Sequence, residues 1–344
     1  MKLGIVGLPR SGKTTLFRAL TGIQDAGTES GGKLTPVQGV VSVPDERLDW
    51  LFEQFKSKKK TPVQVTYLDL QGFSENRKKY LSSLLNHMRP MDAFVMVIRN
   101  FDDPVMGPPS VEKDFRTLED EFIITDLATV EKRLNKLAEE RKKGKKTSDQ
   151  ELELLEQCRE VLSKEEPLRN YPEIATKPEL RGYTFLSGKP LLIIVNNSDD
   201  TSDLPAADFK GVVAIPVRAK LEAELSELEE EDLEVFCEDF GIKTLARDLI
   251  IKKSFEILKL VTFYTIGDEE IKAWTVQKGT TALKAAGAIH SDMEKGFIRA
   301  EVIHFDDLKT AGNYATARRE GLLRLEGKEY IVKDGDILQI RFGL

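Results

Sequence analysis

Eight consecutive residues near the start of the chain, Gly7-Leu8-Pro9-Arg10-Ser11-Gly12-Lys13-Thr14, satisfy the pattern GxxxxGK[ST]. That spacing suits the holding of a phosphate chain. Its glycines let successive backbone N–H groups curl round an anion, and a helix opening directly behind them adds the positive end of its dipole. Lys13 then reaches the β- and γ-phosphates, and the Thr14 hydroxyl ligates Mg²⁺. The context agrees: an apolar β-type run, Lys2–Gly7, precedes the motif, and a helical run beginning at Thr15 follows it. The expected cradle is Gly7 through Thr14 with Thr15.

A second group lies at Asp69-Leu70-Gln71-Gly72, directly after a β-branched run. An Asp at a strand end holds Mg²⁺ through water, and the Gly72 N–H is placed to meet a γ-phosphate. Lys13, Asp69 and Gly72 are thus the expected catalytic set, with Thr14 and Asp69 on the metal. Phe73 follows, where Ras-type switch proteins carry the Gln that orients the attacking water. A phenyl ring cannot do that, so slow hydrolysis is expected. A third group, Asn196-Asn197-Ser198-Asp199, resembles the guanine-reading NKxD with Asn197 in place of Lys. Asp199 is placed to accept from a guanine edge, and Arg218-Ala219-Lys220 stands where such proteins have a second base-side loop. The bound nucleotide is therefore ATP or GTP, with the base left open.

These groups need elements to bring them together. Lys2–Gly7, Gly39–Val43, Val63–Asp69, Ala93–Ile98, Leu191–Asn196 and Val212–Val217 read as strands. Continuous apolar strands suit a sheet buried on both faces, so a doubly wound α/β domain is expected. Between the fourth and fifth strands, Phe115, Leu118, Phe122, Leu127, Val130, Leu134 and Leu137 recur at helical spacing, and Leu152, Leu155 and Leu162 resume after Gly144. Two amphipathic helices joined by a turn predict an antiparallel hairpin. From Val261 the texture changes to short strands, Thr262–Ile266, Ile271–Val276, Phe297–Val302, Glu329–Val332 and Ile337–Phe342, with a small helix over Thr281–His290. This predicts a compact α+β module. The expected divisions are 1–110 and 169–260 for the phosphate-binding domain, 111–168 for the hairpin and 261–344 for the last module.

Composition narrows the classes. The 344 residues include 40% hydrophobic side chains, which excludes disorder as a description of the whole, and two cysteines, too few for a disulfide framework. No apolar run approaches the roughly 20 residues a spanning helix needs, and the MKLGIVG start reads as a strand rather than a signal peptide. A cytoplasmic protein is expected. The net charge of -7 conceals two blocks: residues 131–146 hold eight Lys/Arg against three Glu, and residues 222–239 hold ten Asp/Glu and no base. His87, His290 and His304 lack metal-ligand spacing.

The whole pattern resembles the YchF/Obg-like ATPase family. The likeness is greatest in the C-terminal stretches 272–276, 289–302 and 325–336, with 39–48 and 220–225 fitting as well. The resemblance implies a P-loop NTPase (G domain) carrying a helical insertion and a C-terminal ubiquitin-like β-grasp module, the TGS domain. It implies Lys13 and Thr14 on phosphate and Mg²⁺, Asp69 and Gly72 in switch II, and Asn196 near the base. A ribosome or rRNA partner, met by the basic hairpin tip and the TGS domain, is implied too. A hydrolysis-defective nucleotide-binding scaffold is the rival reading. Departures fall at Arg10 and Ser11, where the family reads more like GLPNVGKST, at Gln71 in place of Ala, in a shortened switch II over 74–77, and in switch I. There Lys33 stands in the threonine's place if Pro36 is the matching proline, with Thr35 two residues out of register.

Overall fold

A computed structural model describes residues 1–24, 36–70, 87–239, 242 and 244–343. Gln71, Gly72, Phe73, the 74–77 stretch, Lys33 and Thr35 lie outside the described residues. The chain forms two compact units, Met1–Val41 with Thr66–Ile250, and Ser42–Val65 with Ile251–Leu344. In order it runs β1 (Lys2–Gly7), α1 (Lys13–Thr21), β2 (Val37–Ser42), α2 (Glu46–Phe55), β3 (Lys59–Thr61), β4 (Gln64–Asp69) and β5 (Ala93–Asn100). There follow α3 (Val111–Lys142), α4 (Asp149–Ser163), β6 (Leu191–Asn197), β7 (Ala214–Val217) and α5 (Ala219–Leu225).

In the first unit the strands stand in the order β2-β4-β1-β5-β6-β7. The pairs β1–β4, β1–β5, β5–β6 and β6–β7 are all parallel. β6 is buried along its whole length, and β1 and β5 along all but one residue, as strings such as Leu191-Leu192-Ile193-Ile194-Val195 require when both faces are covered. Register puts Asp69 opposite Ile5 and Asn100 opposite Asn197. The carboxyl ends of β1, β4, β5 and β6 therefore share one edge, where the chain order reverses beside β1. Open parallel sheets bind ligands at that place.

The hairpin is not a free-standing insertion. Val111, Phe115, Leu118 and Phe122 of α3 are buried among Phe94, Ile98, Leu191 and Ile193 of the sheet. Phe122 tilts against Phe94 at 5.0 Å and Phe115 meets Phe209 edge-on at 5.6 Å. The expected boundary at 110/111 thus falls inside this core. Only farther along does α3 pair with α4, through Ile123, Val130, Leu134 and Leu137 against Leu154, Leu155, Cys158 and Leu162. At 1.5 Å per residue the 32-residue helix is about 48 Å long, enough to serve both cores. Asp126 ties the returning chain to α3 by accepting from the N–H groups of Leu186 (3.0 Å) and Ser187 (2.7 Å) and from the Ser187 hydroxyl.

The second unit is built on β8 (Leu260–Ile266), β9 (Glu270–Gln277), β10 (Phe297–His304), β11 (Arg324–Glu326) and β12 (Asp336–Phe342), ordered β11-β10-β12-β8-β9-β3. An antiparallel β8–β9 hairpin, a helix over Ala282–Ile289, and a last strand parallel to β8 at Ile337 and Tyr264 give a β-grasp topology. Alternation along the strands divides two cores. Phe263, Val302 and Leu338 face the Ala282–Ile289 helix, whereas Tyr264, Ile303 and Ile337 face Leu48 and Leu51 of α2. Hence 42–65 belongs with the C-terminal strands, not with the 1–110 segment in which the sequence reading placed it. Asp45 caps α2 at the Arg47 N–H and receives the Tyr264 hydroxyl, while Arg47 pairs with Asp334 at 2.7 Å.

One expected strand is absent. Glu329–Val332 forms a single bridge, Ile331 with Thr281, and its backbone pairs with the segment leading into the Ala282–Ile289 helix. Ala282 donates to the Tyr330 carbonyl (2.7 Å) and Val332 to that of Thr280 (3.0 Å). These bonds replace a ladder, and Arg324–Glu326 forms the edge strand instead.

Candidate functional site

The GxxxxGK[ST] residues occupy the bend between β1 and α1. Both outer glycines are sterically required. A Cβ on Gly7 would lie 2.5 Å from the Val97 carbonyl oxygen and 2.6 Å from Ser11 Oγ. Gly12 has a φ of 92°, and a Cβ there would stand 2.1 Å from Asn196 Nδ2. With no acidic residue in its first turn and no side-chain cap, α1 leaves its leading N–H groups for an anion. Arg10, Gly12, Lys13, Thr14 and Thr15 line a cleft of 370 Å³ with Phe101 and Asp103. Leu8 contributes its carbonyl, which accepts from Lys13 Nζ at 2.8 Å, and Ser11 is buried behind the loop.

Lys13 and Asp69 give the cleft its electrostatics. Burial pushes the Lys13 ammonium down to about 8, against the pull of the Asp69 carboxylate, which favours the charged form. Thr14 Oγ1 donates to Asp69 Oδ2 at 2.8 Å, and Asp69, ending β4, is wholly buried. Among the described residues no three His, Cys, Asp or Glu side chains gather into a metal cage. A hydroxyl and a carboxylate in hydrogen-bond contact at a phosphate cradle nevertheless fit Mg²⁺. That ion takes one or two protein oxygens and fills its octahedron with water and phosphate.

The base-side residues have divided roles. Asn196 is a clamp: its Nδ2 donates to the Ser11 carbonyl (3.0 Å) and its Oδ1 accepts from the Ala219 N–H (3.1 Å). It thereby ties the phosphate loop to the start of α5. Asn197 also uses its amide internally, accepting from Asn100 (2.8 Å) and donating to the Asp203 carbonyl (2.9 Å). Asp199 pairs with Lys220 at 3.3 Å. Both line a second cleft of 780 Å³ that continues past Gly12, Thr15, Asn100, Phe101 and Asn197. Arg218 is the residue before α5 and lines neither cleft.

The segment after β5 is the part of the site that sequence reasoning missed. Arg99 is buried, and its guanidinium donates to the carbonyls of Phe101 (2.6 Å), Gly107 (2.7 Å) and Pro108 (3.0 Å). It braces a loop that carries Phe101, Asp102, Asp103 and Pro109 to the clefts. The available signal was an arginine near the end of an otherwise apolar strand, since a buried charge at such a place is retained only when it is paired or hydrogen-bonded.

A glycine-rich bend between a buried parallel strand and a helix, with Lys, Thr and Asp beneath it, defines the nucleotide-binding class of P-loop domains. Residues 260–343 match the family model YchF-GTPase_C, described as "Protein of unknown function (DUF933)". The chain is 37% identical to the "Ribosome-binding ATPase YchF" of Bacillus subtilis, over 99% of both chains. It is 38% identical to the protein of that name from Haemophilus ducreyi, over 100% of this chain and 99% of the other. A solved structure, that of the Schizosaccharomyces pombe YchF GTPase, superposes with a TM-score of 0.81 at 29% identity, covering 99% of this chain and 97% of that one. The chain belongs to the YchF family.

Proposed function

We propose that the protein is a cytoplasmic, Mg²⁺-dependent nucleoside triphosphatase of slow turnover that acts as a ribosome-associated switch. The observation that carries the reading is the contact of Thr14 with Asp69 at 2.8 Å beside a buried Lys13, at the mouth of α1. In this reading water forms the new bond to the γ-phosphorus as the bond to the β–γ bridging oxygen breaks. The electron pair leaves with the diphosphate, and the water's proton ends on phosphate or solvent. Lys13 and the leading N–H groups of α1 stabilise the charge on the β- and γ-oxygens. Thr14 and Asp69 would hold Mg²⁺, which when bound neutralises those same oxygens. Gly72 is assigned the γ-phosphate by sequence alone.

ATP is the proposed base choice. Asn197 lacks the aliphatic stem that packs on a guanine, and the Asp199 carboxylate is shared with Lys220, which weakens it as an acceptor for a guanine edge. The names of the bacterial relatives agree. Calorimetric titration with ATP, GTP and non-hydrolysable analogues should show at least tenfold tighter ATP binding; tighter GTP binding would refute the choice. Single-turnover hydrolysis that disappears in Lys13→Ala separates the enzyme from the scaffold reading, and a wild type that binds ATP without turning it over supports the scaffold.

A ribosomal partner is proposed from the relatives' names and from the hairpin surface, with 261–344 as a TGS module. Lys132, Lys136, Lys142, Lys143, Lys145 and Lys146 are exposed and form no ion pair among the described residues, whereas Arg141 pairs with Asp149 and Arg133 with Glu151. Unpaired lysines at a helix tip suit phosphate contact through counterion release. Replacing Lys142, Lys143, Lys145 and Lys146 by Glu should weaken ribosome co-sedimentation and flatten its salt dependence; unchanged binding retires this surface.

A further inference from the structure

We propose that Arg10 is a catalytic residue supplied in cis, its guanidinium contacting the γ-phosphoryl oxygens during transfer, with Asp103 as its positioning residue. The inference rests on the hydrolysis reading above and adds a charge to it.

Arg10 stands in the middle of the phosphate loop with a φ of 62°. That left-handed conformation is comfortable for glycine and strained for a long side chain. The loop thus carries at this position a residue that its backbone disfavours, and the side chain is directed to the 370 Å³ cleft shared with Lys13 and Thr14. Asp103 holds it there. Arg10 Nε donates to both carboxylate oxygens, at 3.0 and 2.8 Å. Asp103 is fixed in turn by the N–H groups of Val105 and Met106, each at 2.9 Å, and by a backbone bridge to Gly107. The anchor is therefore held by its own backbone neighbours.

The way the pair is made matters most. A guanidinium recruited only for structure commonly meets a carboxylate through two parallel N–H bonds. Here Nε alone is used, and among the described residues neither Nη atom has a hydrogen-bond partner, while the side chain remains 51% exposed. The unused Nη donors form a planar fork matched to phosphate oxygens. With Phe73 in the place of a water-orienting Gln, more of the acceleration must come from charge stabilisation on the phosphoryl group, and arginines in this role contribute about 10³–10⁵ in rate elsewhere. The step is hydrolysis as written above. Arg10 forms no covalent bond and keeps its proton, and its hydrogen bonds strengthen as charge accumulates on the γ-oxygens.

The test uses the full chain with Mg·ATP, comparing wild type, Arg10→Ala, Arg10→Lys, Arg10→Gly and Asp103→Asn. Single-turnover hydrolysis should fall about 10²–10³-fold in Arg10→Ala, while ADP affinity stays within about threefold. Arg10→Lys should not restore it, since an ammonium lacks the fork, and millimolar guanidinium ion should restore part of it. Arg10→Gly, which removes the backbone strain, should fold at least as stably and be equally slow, so poor folding cannot account for the loss. Asp103→Asn should lose about tenfold in rate with unchanged affinity and retain less ADP–aluminium fluoride, a transition-state mimic. Wild-type turnover in Arg10→Ala, or a loss of ADP affinity as large as the loss of rate, would overturn the proposal. A wild type that binds ATP yet never hydrolyses it overturns the hydrolysis reading first, and this inference with it.

Discussion

Raising the pH should loosen nucleotide binding through Lys13, and the structure sets the window. Burial lowers its pKa from 10.5 to about 8, despite Asp69. Phosphate oxygens beside the ammonium restore the preference for the charged form, so binding raises the pKa again. A group with a higher pKa in the bound state contributes affinity that is fully present below its free-state pKa and is lost as pH rises beyond it. With a free-state pKa near 8 the association constant should fall by about 10-fold at pH 9 and about 30-fold at pH 9.5, relative to pH 7. The β- and γ-phosphates are already ionised over this range and add no slope. The assay is titration of a non-hydrolysable ATP analogue at constant Mg²⁺ and ionic strength, in buffers of differing ionisation enthalpy. About half a proton should be taken up per nucleotide at pH 8. Lys13→Arg, which stays protonated throughout, should bind with a flat profile. An affinity constant within threefold from pH 7 to 9.5, or proton release, would refute the reasoning. The same shift makes a charged Lys13 a cost to folding on the order of 3 kcal/mol at pH 7. Between pH 8 and 10.5 the unfolded chain holds more protons, so that cost is relieved as pH rises.

Three further outcomes follow from the geometry. Gly12→Ala forces a left-handed alanine and displaces the Asn196 amide, together about 2–3 kcal/mol, so ATP should bind about 30–150-fold more weakly by calorimetry. Asn196→Ala leaves the Ser11 carbonyl and the Ala219 N–H without partners, about 1–3 kcal/mol each, and hydrogen exchange should report faster opening of the Ala219 amide before any change in the C-terminal strands. Leu155→Ala empties a wholly buried position between α3 and α4, costing about 2–5 kcal/mol, and should raise exchange along α4 while leaving ATP affinity unchanged.

The phosphate loop was legible because its chemistry is local. Gly7, Gly12, Lys13 and Thr14 lie within eight consecutive residues, and the strand and helix that flank them follow from short-range pattern. The apolar runs of β5 and β6 were equally plain, since burial on both faces demands unbroken hydrophobicity. Asn196 was found from its motif, but its use as a clamp on Ser11 and Ala219 depends on side-chain direction, which spacing does not specify. Glu329–Val332 misled because an apolar run satisfies a strand pattern whether or not a neighbouring strand exists to pair with it.

Sequence alone thus determined the nucleotide-binding chemistry, the family likeness, and the kinds of element that must surround the site. Tertiary structure decided what those elements belong to. The stripe of Leu48 and Leu51 shows that α2 needs a sheet to cover, and only the fold assigns it to the C-terminal strands. The regular spacing along α3 hides that Phe115 and Phe122 serve the sheet while Leu134 and Leu137 serve α4. Arg10 and Asp103 are 93 residues apart, and nothing in either neighbourhood predicts the other. Local pattern records what a residue needs to bury or pair; which partner meets that need is set by the path of the chain through space.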